Sequence, residues 1–346
     1  MKTLNVALAG FGYASRVFHF PFLSNDPRFA IKKVYERTTN RASEHLPQVE
    51  IVRDFADLLT PEIDLVIITT PNQTHYAMAK QALQAGKNVL VEKPLVATQA
   101  EAVELDQLAK ANGVLLSVYQ NRRWDSAAAT AKQIIEQNLL GEIVDCEIRF
   151  ERYAKGKNAK QWKETGEVGT GLVYDLGVHL LDQAVTLFGK PSEIFADIRY
   201  QHEGALSDDA FDIHLYYPNG LKVALIATKY AREAGNHFSL HGRLGSYVKK
   251  NVDNQEGLLA AGAVPQGDWN VEPESEWGIL HTEINGEVVR QSYPNAKASY
   301  QDFYDNLYQA ITTQTALAVT AEQAGVVLGL IEKAFESERL GHRIVI

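Results

Sequence analysis

Residues 6–15 read VALAGFGYAS: an apolar run that breaks at Gly10, with Gly12 two places on and a helix-like stretch behind it. A strand, a glycine turn and a helix in that order let backbone approach a pyrophosphate closely and aim a helix N-terminus at its charge. Gly10, Phe11, Gly12, Tyr13, Ala14 and Ser15 are therefore candidate cofactor contacts. Ser15, preceded by Ala14, replaces the third glycine of that fingerprint. A small residue there still allows close helix–strand packing. A bare G-x-G is equally the mark of a structural turn, so its weight depends on the chain downstream.

Downstream of this turn the chain alternates between strands and helices for about a hundred residues. NVALAG, AIKKVYE, IDLVIITT, KNVLVE and GVLLSVY read as strands, and THYAMAKQALQAG and TQAEAVELDQLAKANG as helices between them. Near-continuous Val/Ile/Leu runs alternating with helices predict an α/β fold with a parallel sheet covered on both faces. After YQNRRW the texture changes. A helix, SAAATAKQIIEQNLLG, leads into EIVDCEIRFERY, SEIFADIRYQH, AFDIHLYY, LKVALIATKY, HFSLHGRLGSYVKK and WGILHTEING, all strand-like, with YYPNGLKV a hairpin signal. Residues 251–275 read as an irregular connection, and two helical stretches close the chain. The expected division is 1–121 for a dinucleotide-binding domain and 122–346 for a substrate-binding and oligomerisation domain, whose last helix could pack back on the first.

Composition narrows the partners. The formal charge is -9, from 34 basic and 43 acidic side chains, which argues against nucleic acid and anionic membranes. Cys146 is the single cysteine, so no intrachain disulfide can form. No apolar run approaches the ~20 residues of a membrane span, and the first residues lead straight into a strand; a cytoplasmic protein is expected.

Four further stretches could carry chemistry. In VIITTPNQTH a strand ends at Thr69, Thr70, Pro71 and Asn72, with His75 at the next helix; such residues face the ligand crevice of a parallel sheet, though a helix cap reads equally well. In NVLVEKPL a buried strand ends at Glu92-Lys93-Pro94, and the lysine is either a solvated strand end or a catalytic group. In GTGLVYDLGVHLLDQAVTLFG, a helix would put Asp175, His179 and Gln183 on one face and Leu176, Leu180 and Leu187 on the apolar one. A carboxylate one turn from an imidazole can orient it, although such pairs are often plain surface pairs. In YQNRRWD, Asn121 and Arg122 fall where the last parallel strand reaches the crevice, or form a hinge. No zinc-ligand spacing, phosphate-binding lysine loop or nucleophile elbow is present, so no metal is expected. His19, His202, His237 and His281 read as scattered structural residues.

These motifs occur together, in order, in one family. G-x-G-x-A-S, T-P-N-x-x-H, E-K-P, N-R-R-W and Y-D-L-G-V-H-L-L-D resemble the glucose–fructose oxidoreductase / inositol dehydrogenase / MocA family, and YQNRRWDS, LGVHLLDQ and HGRLGSY its branch with bacterial scyllo-inositol dehydrogenases. The resemblance implies a Rossmann domain followed by an α/β domain on an open, mostly antiparallel sheet. It implies NAD(P)-dependent interconversion of a secondary alcohol and a ketone on a sugar or cyclitol. Carried over residue by residue, it makes Lys93, Asp175 and His179 the catalytic and substrate-contacting groups; the choice of substrate is expected to depend on the second-domain sheet and the loops around Tyr153 and Trp162, both candidate substrate contacts. Homodimers or tetramers follow from it too, and Phe211, Ile213, Leu215, Tyr216 and Tyr217 suggest a second-domain sheet with apolar residues on both faces. A non-catalytic dinucleotide-binding regulator and a reductase of a non-sugar carbonyl are the alternatives.

The choice of cofactor turns on IKKVYERTTN. Glu36 lies 24 positions after Gly12 (36 minus 12), near the ~20-residue spacing of an acid that bonds the adenosine ribose. Its charge would repel the extra phosphate of NADP, while Arg37 would attract it. NAD is expected to be preferred, with NADP possible.

Overall fold

The computed structural model describes residues 2–154 and 164–346 of the chain, which divide into two compact units. Trp162 lies outside the described residues.

The first unit comprises residues 1–120, 254–270 and 300–325. Its strands are β1 (Leu4–Ala9), β2 (Phe29–Tyr35), β3 (Glu50–Val52), β4 (Leu65–Ile68), β5 (Asn88–Val91) and β6 (Leu116–Val118). They form one parallel sheet in the order β3-β2-β1-β4-β5-β6. The order reverses between β1 and β4, which opens a crevice at their carboxyl ends. The central strands are buried on both faces: Val6, Ala7, Leu8 and Ala9, like Leu65 to Ile68, have no exposed surface. Helices α1 (Phe20–Ser24), α2 (Arg41–His45), α3 (His75–Gln84) and α4 (Gln99–Asn112) lie between the strands. A capping box of Thr98 and Glu101 starts α4, and Gly113, at φ 64°, ends it.

The connection after β1 is not a full α-helix. It is a π-helical turn, Ser15–His19, followed by the five-residue α1. So short a cover leaves room on the sheet, and chain from far downstream fills it. The remaining helices are α5 (Ser126–Glu136), α6 (Val178–Phe188), α7 (Gln255–Ala260), α8 (Tyr300–Thr313) and α9 (Ala321–Leu340). Tyr304 of α8 stacks on Phe22 at 5.1 Å and meets Phe29 edge-on, while Tyr308 donates to the Lys2 carbonyl. Residues 251–275, expected to be irregular, thus contain α7, and residues 254–270 and 300–325 fall in the first unit rather than with 122–346.

The second unit holds residues 121–253, 271–299 and 326–346. Its strands are β7 (Ile143–Glu151), β8 (Glu193–Arg199), β9 (Ala210–Tyr216), β10 (Lys222–Thr228), β11 (Phe238–Gly242), β12 (Gly245–Lys249), β13 (Gly278–Ile284), β14 (Glu287–Tyr293) and β15 (Ile344–Val345). They form one sheet in the order β14-β13-β12-β11-β7-β10-β9-β8-β15. Among the described strands of this sheet, only β7 and β10 pair in parallel. The β9–β10 hairpin turns at Pro218-Asn219-Gly220, with Gly220 at φ 87°. Period-two burial puts Phe211, Ile213 and Leu215 of β9 beside Leu225 and Val223 of β10 on the covered face. The opposite face carries Asp145, Glu147 and Arg149 on β7 together with Phe195, His214, Tyr216 and Ile226. The apolar residues are therefore sorted: Phe211, Ile213 and Leu215 inward, Tyr216 outward, and Tyr217 buried in the turn.

Candidate active site

In the first unit, the turn after β1 is shaped by Gly10, at φ 98°, where a Cβ would stand 3.1 Å from Thr69 Oγ1. Its N–H donates to the Tyr35 carbonyl at 3.0 Å. A Cβ on Gly12 would meet nothing within 4 Å, so this side of the turn is open to an approaching group. Ser15 is wholly buried and its Oγ has no hydrogen-bond partner among the described residues. A buried hydroxyl without a partner beside an open glycine turn fits a polar group such as a pyrophosphate oxygen. Phe11 turns inward against Phe20 at 5.7 Å, whereas Tyr13 is exposed and meets Phe18 edge-on. Gly10, Gly12 and Ser15 thus form the cradle, and Phe11 supports it from below.

The loop after β4 closes the other wall. Thr69 donates to the Ala9 carbonyl through its N–H at 2.9 Å and its hydroxyl at 3.1 Å. Thr70 and Pro71 lead into a short 3-10 turn, Asn72–Thr74, where the Thr74 hydroxyl donates to Thr70 Oγ1 at 2.7 Å. His75 is fully buried, with Nδ1 2.9 Å from the Pro94 carbonyl and Nε2 2.9 Å from that of Thr70. Burial is the largest influence on this ring and pulls its pKa down. His75 therefore ties the T-P-N loop to the E-K-P loop from inside, and its nitrogens face backbone, not the crevice.

The E-K-P loop begins where Glu92 N–H donates to the Ile68 carbonyl at 2.9 Å, and its Lys93–Pro94 peptide is cis. Glu92 is buried, with Oε1 2.9 Å from His19 Nε2. Its Oε2 accepts the Lys93 N–H at 3.1 Å. Glu92 is thus a support inside the protein, while Lys93, half-buried, stands at the carboxyl end of β5.

At the end of β2, Glu36 is only 6% exposed. Its Oε1 accepts from Thr39 Oγ1 at 2.5 Å and Arg41 N at 3.2 Å, and its Oε2 from Ala42 N at 3.0 Å. Three donors fill most of the roughly four acceptor positions of a carboxylate. Glu36 organises the loop and the start of α2, which leaves about one acceptor position for a further donor such as a ribose hydroxyl. Arg37 and Thr38 on this loop and Arg41 at the start of α2 are exposed.

In the second unit the D-x-x-x-H segment is not one continuous α-helix. Asp175 lies in a π-helical turn, Val173–Gly177, and His179 in the first turn of α6. Such turns recur at functional sites because they re-aim side chains. The glycines ahead of it have steric reasons: at Gly171, φ 88°, a Cβ would come within 2.0 Å of Asp208 Oδ1. Asp208 holds the turn by accepting Val173 N–H at 2.7 Å on Oδ2. Burial raises its pKa to about 6, against the pull of those backbone donors. His179 is 4% exposed and Asp175 half-buried.

The next turn of α6 is anchored. Asp182 takes Arg123 in a two-pronged pair, Nε at 2.7 Å and Nη2 at 2.6 Å, and Gln183 donates to the Arg122 carbonyl at 2.8 Å. Arg122 lies over Phe150 at 4.7 Å and bonds Asp125 at 3.2 Å; it and Asn121 belong to the second unit. Tyr153 pairs with Tyr230 in an isolated bridge, and Arg232 sits 3.7 Å above its ring. The structure therefore groups Gly10 to Ser15, Thr69 to Asn72 and Lys93 in one unit, and Asn121, Arg122, Tyr153, Asp175 and His179 in the other. Sequence reasoning missed His19, Tyr304 and Asp208. For His19 the only local signal was a histidine inside the apolar run VFHFPF.

Residues 4–120 match the model of an oxidoreductase family, NAD-binding Rossmann fold, and residues 132–346 that of the same family's C-terminal alpha/beta domain. The uncharacterized oxidoreductase YdgJ of Escherichia coli is 38% identical over 97% of this chain and 96% of its own. The scyllo-inositol 2-dehydrogenase (NADP(+)) IolW of Bacillus subtilis is 34% identical over 98% and 95%. Among solved structures, an oxidoreductase from Bacillus cereus superposes with TM-score 0.92 at 31% identity, each chain covered to 99%.

Proposed function

The chain belongs to the GFO/IDH/MocA oxidoreductase family, and we propose that within it the protein interconverts a secondary alcohol and a ketone on a sugar or cyclitol. The observation that carries this reading is the presence of Lys93, Asp175 and His179 in a chain similar along nearly its full length to a named inositol dehydrogenase. A bound nicotinamide dinucleotide supplies the two-electron acceptor or donor. Gly10, Gly12, Ser15, Thr69 and Asn72 would hold it.

The chain's own groups supply the proton chemistry. Oxidising an alcohol needs a base for the hydroxyl proton as the C–H bond is broken. In this reading His179 takes that proton, with Asp175 favouring the imidazolium that forms. Lys93, as an ammonium, can donate a hydrogen bond to an alcohol oxygen and stabilise its developing negative charge. Ketone reduction runs the same transfers backwards.

For the cofactor, Glu36 facing inward, Arg37 exposed on its loop and Arg41 exposed at the start of α2 favour NADP over the expected NAD. The NADP named for IolW agrees. Mixing the purified protein with either oxidised cofactor and a panel of inositols and sugars, followed at the absorbance of the reduced nicotinamide, tests the reading. Turnover with at least one polyol is expected. Saturable dinucleotide binding with no turnover on any of them would replace it with the regulator.

A further inference from the structure

Beneath Lys93 lies a buried polar chain that the proposed chemistry does not use. His19 has no exposed surface; besides its contact to Glu92, its Nδ1 stands 2.7 Å from the Tyr304 hydroxyl. Tyr304 is likewise enclosed, and the Tyr119 ring lies 4.5 Å from the imidazole. The neighbours decide where the ring proton sits. The Phe18 carbonyl accepts from the Tyr304 hydroxyl at 3.0 Å and from the Tyr119 hydroxyl at 2.9 Å. An ionised carboxylate can only accept, so Nε2, 2.9 Å from Glu92 Oε1, is the ring nitrogen that carries a proton and donates it.

The result is an acid held ionised where burial opposes ionisation. Burial alone pushes the Glu92 carboxyl up; the His19 hydrogen bond and the positive charge of Lys93 outweigh it and hold it below its ordinary value. The titratable groups around this carboxylate are His19 and Lys93, with His75 and Tyr304 also within reach of its charge.

We propose that His19, Tyr304 and Glu92 are positioning residues for Lys93: they fix an ionised carboxylate behind the lysine that anchors its backbone and keeps its side chain an ammonium. An ammonium stabilises an alkoxide and does not accept its proton, so the relay assigns proton acceptance to His179. That last consequence rests on the dehydrogenase reading; the electrostatic coupling does not.

The coupling is tested without turnover. Reductive methylation with isotopically labelled formaldehyde marks the lysines, and the Lys93 signal is identified by its loss in Lys93→Arg. Its NMR titration is then compared between the parent and four variants. Glu92→Gln removes the charge and should lower the Lys93 pKa by about one unit, the low end for an adjacent opposite charge. His19→Leu strands the acid in an apolar site, where it takes up a proton, and should lower Lys93 in the same direction. His19→Gln can donate an amide N–H in place of Nε2 and should restore most of the shift. Tyr304→Phe should fall between His19→Gln and His19→Leu.

An unchanged Lys93 titration in folded Glu92→Gln overturns the proposal, and this variant decides alone if His19→Leu does not fold. With an active polyol, the pH profile of kcat should move in His19→Leu and return in His19→Gln. A coupled titration in a protein with no turnover would sink the dehydrogenase reading and keep the relay. Turnover without coupling would do the reverse.

Discussion

The Val173 N–H donates to Asp208 Oδ2 at 2.7 Å, so a buried acid from the loop before β9 secures the turn that carries Asp175. The pKa of Asp208 is raised from 3.8 to about 6 in the folded protein. Between those values the folded state keeps a proton that the unfolded chain gives up. Stability from this group is therefore lost as pH rises from about 4 to about 6. Asp208→Asn keeps an acceptor for Val173 and removes the charge. Chemical denaturation should show the variant gaining on the parent between pH 5 and pH 7.5, by about 1–2 kcal/mol from the linkage. A constant difference across that range would mean Asp208 does not titrate there.

Lys93→Ala and His179→Ala should each lower kcat on an active polyol at least ~100-fold, the scale of general acid–base assistance. Dinucleotide affinity, measured by fluorescence titration, should change much less. Near-normal turnover in both would take them out of the chemistry.

Arg37→Ala should raise the KM for NADP about tenfold or more and leave that for NAD within about twofold, since only the former presents a phosphate to a guanidinium. Glu36→Ala should instead lower thermal stability, because Thr39, Arg41 and Ala42 lose a common acceptor. A gain in NADP use in Glu36→Ala, with stability intact, would place this acid at the ribose.

The outward face of the nine-stranded sheet should seat a second copy of the chain. Phe195, His214, Tyr216 and Ile226 lie there on adjacent strands, with Lys222 and Asp145 paired at 2.9 Å. A face of this kind in a 38.4 kDa chain predicts a dimer or tetramer by light scattering at micromolar concentration. Ile226→Glu should shift the assembly toward monomer. A parent that is monomeric at that concentration would rule the interface out.

The strand–helix alternation was legible because burial on both faces leaves continuous apolar runs, and so were the change of texture near Asn121 and the hairpin at Pro218-Asn219-Gly220. Local chemistry also marked Gly10, Thr69 and Lys93, since each follows a strand end. What stayed hidden depends on partners far away in sequence. Nothing near Glu36 says that its oxygens turn inward onto Thr39 and Ala42, and nothing near His19 points to Tyr304, 285 residues on. The π-turn at Val173–Gly177 escaped for another reason: apolar spacing at Asp175 and His179 fits one continuous α-helix, and the Asp208 carboxylate that takes the Val173 N–H lies 35 residues on.

Helix α8 supplies Tyr304 and Tyr308 to a sheet whose strands end by Val118. During synthesis, all six parallel strands leave the ribosome nearly two hundred residues before that cover arrives, at rates of about 5–20 residues per second. For roughly ten seconds or more the nascent protein shows Phe22, Phe29 and Tyr119 to water or to a chaperone. A stop codon placed after Gln120 would make that exposure permanent, so the N-terminal segment expressed alone should aggregate even though it contains every strand of its sheet.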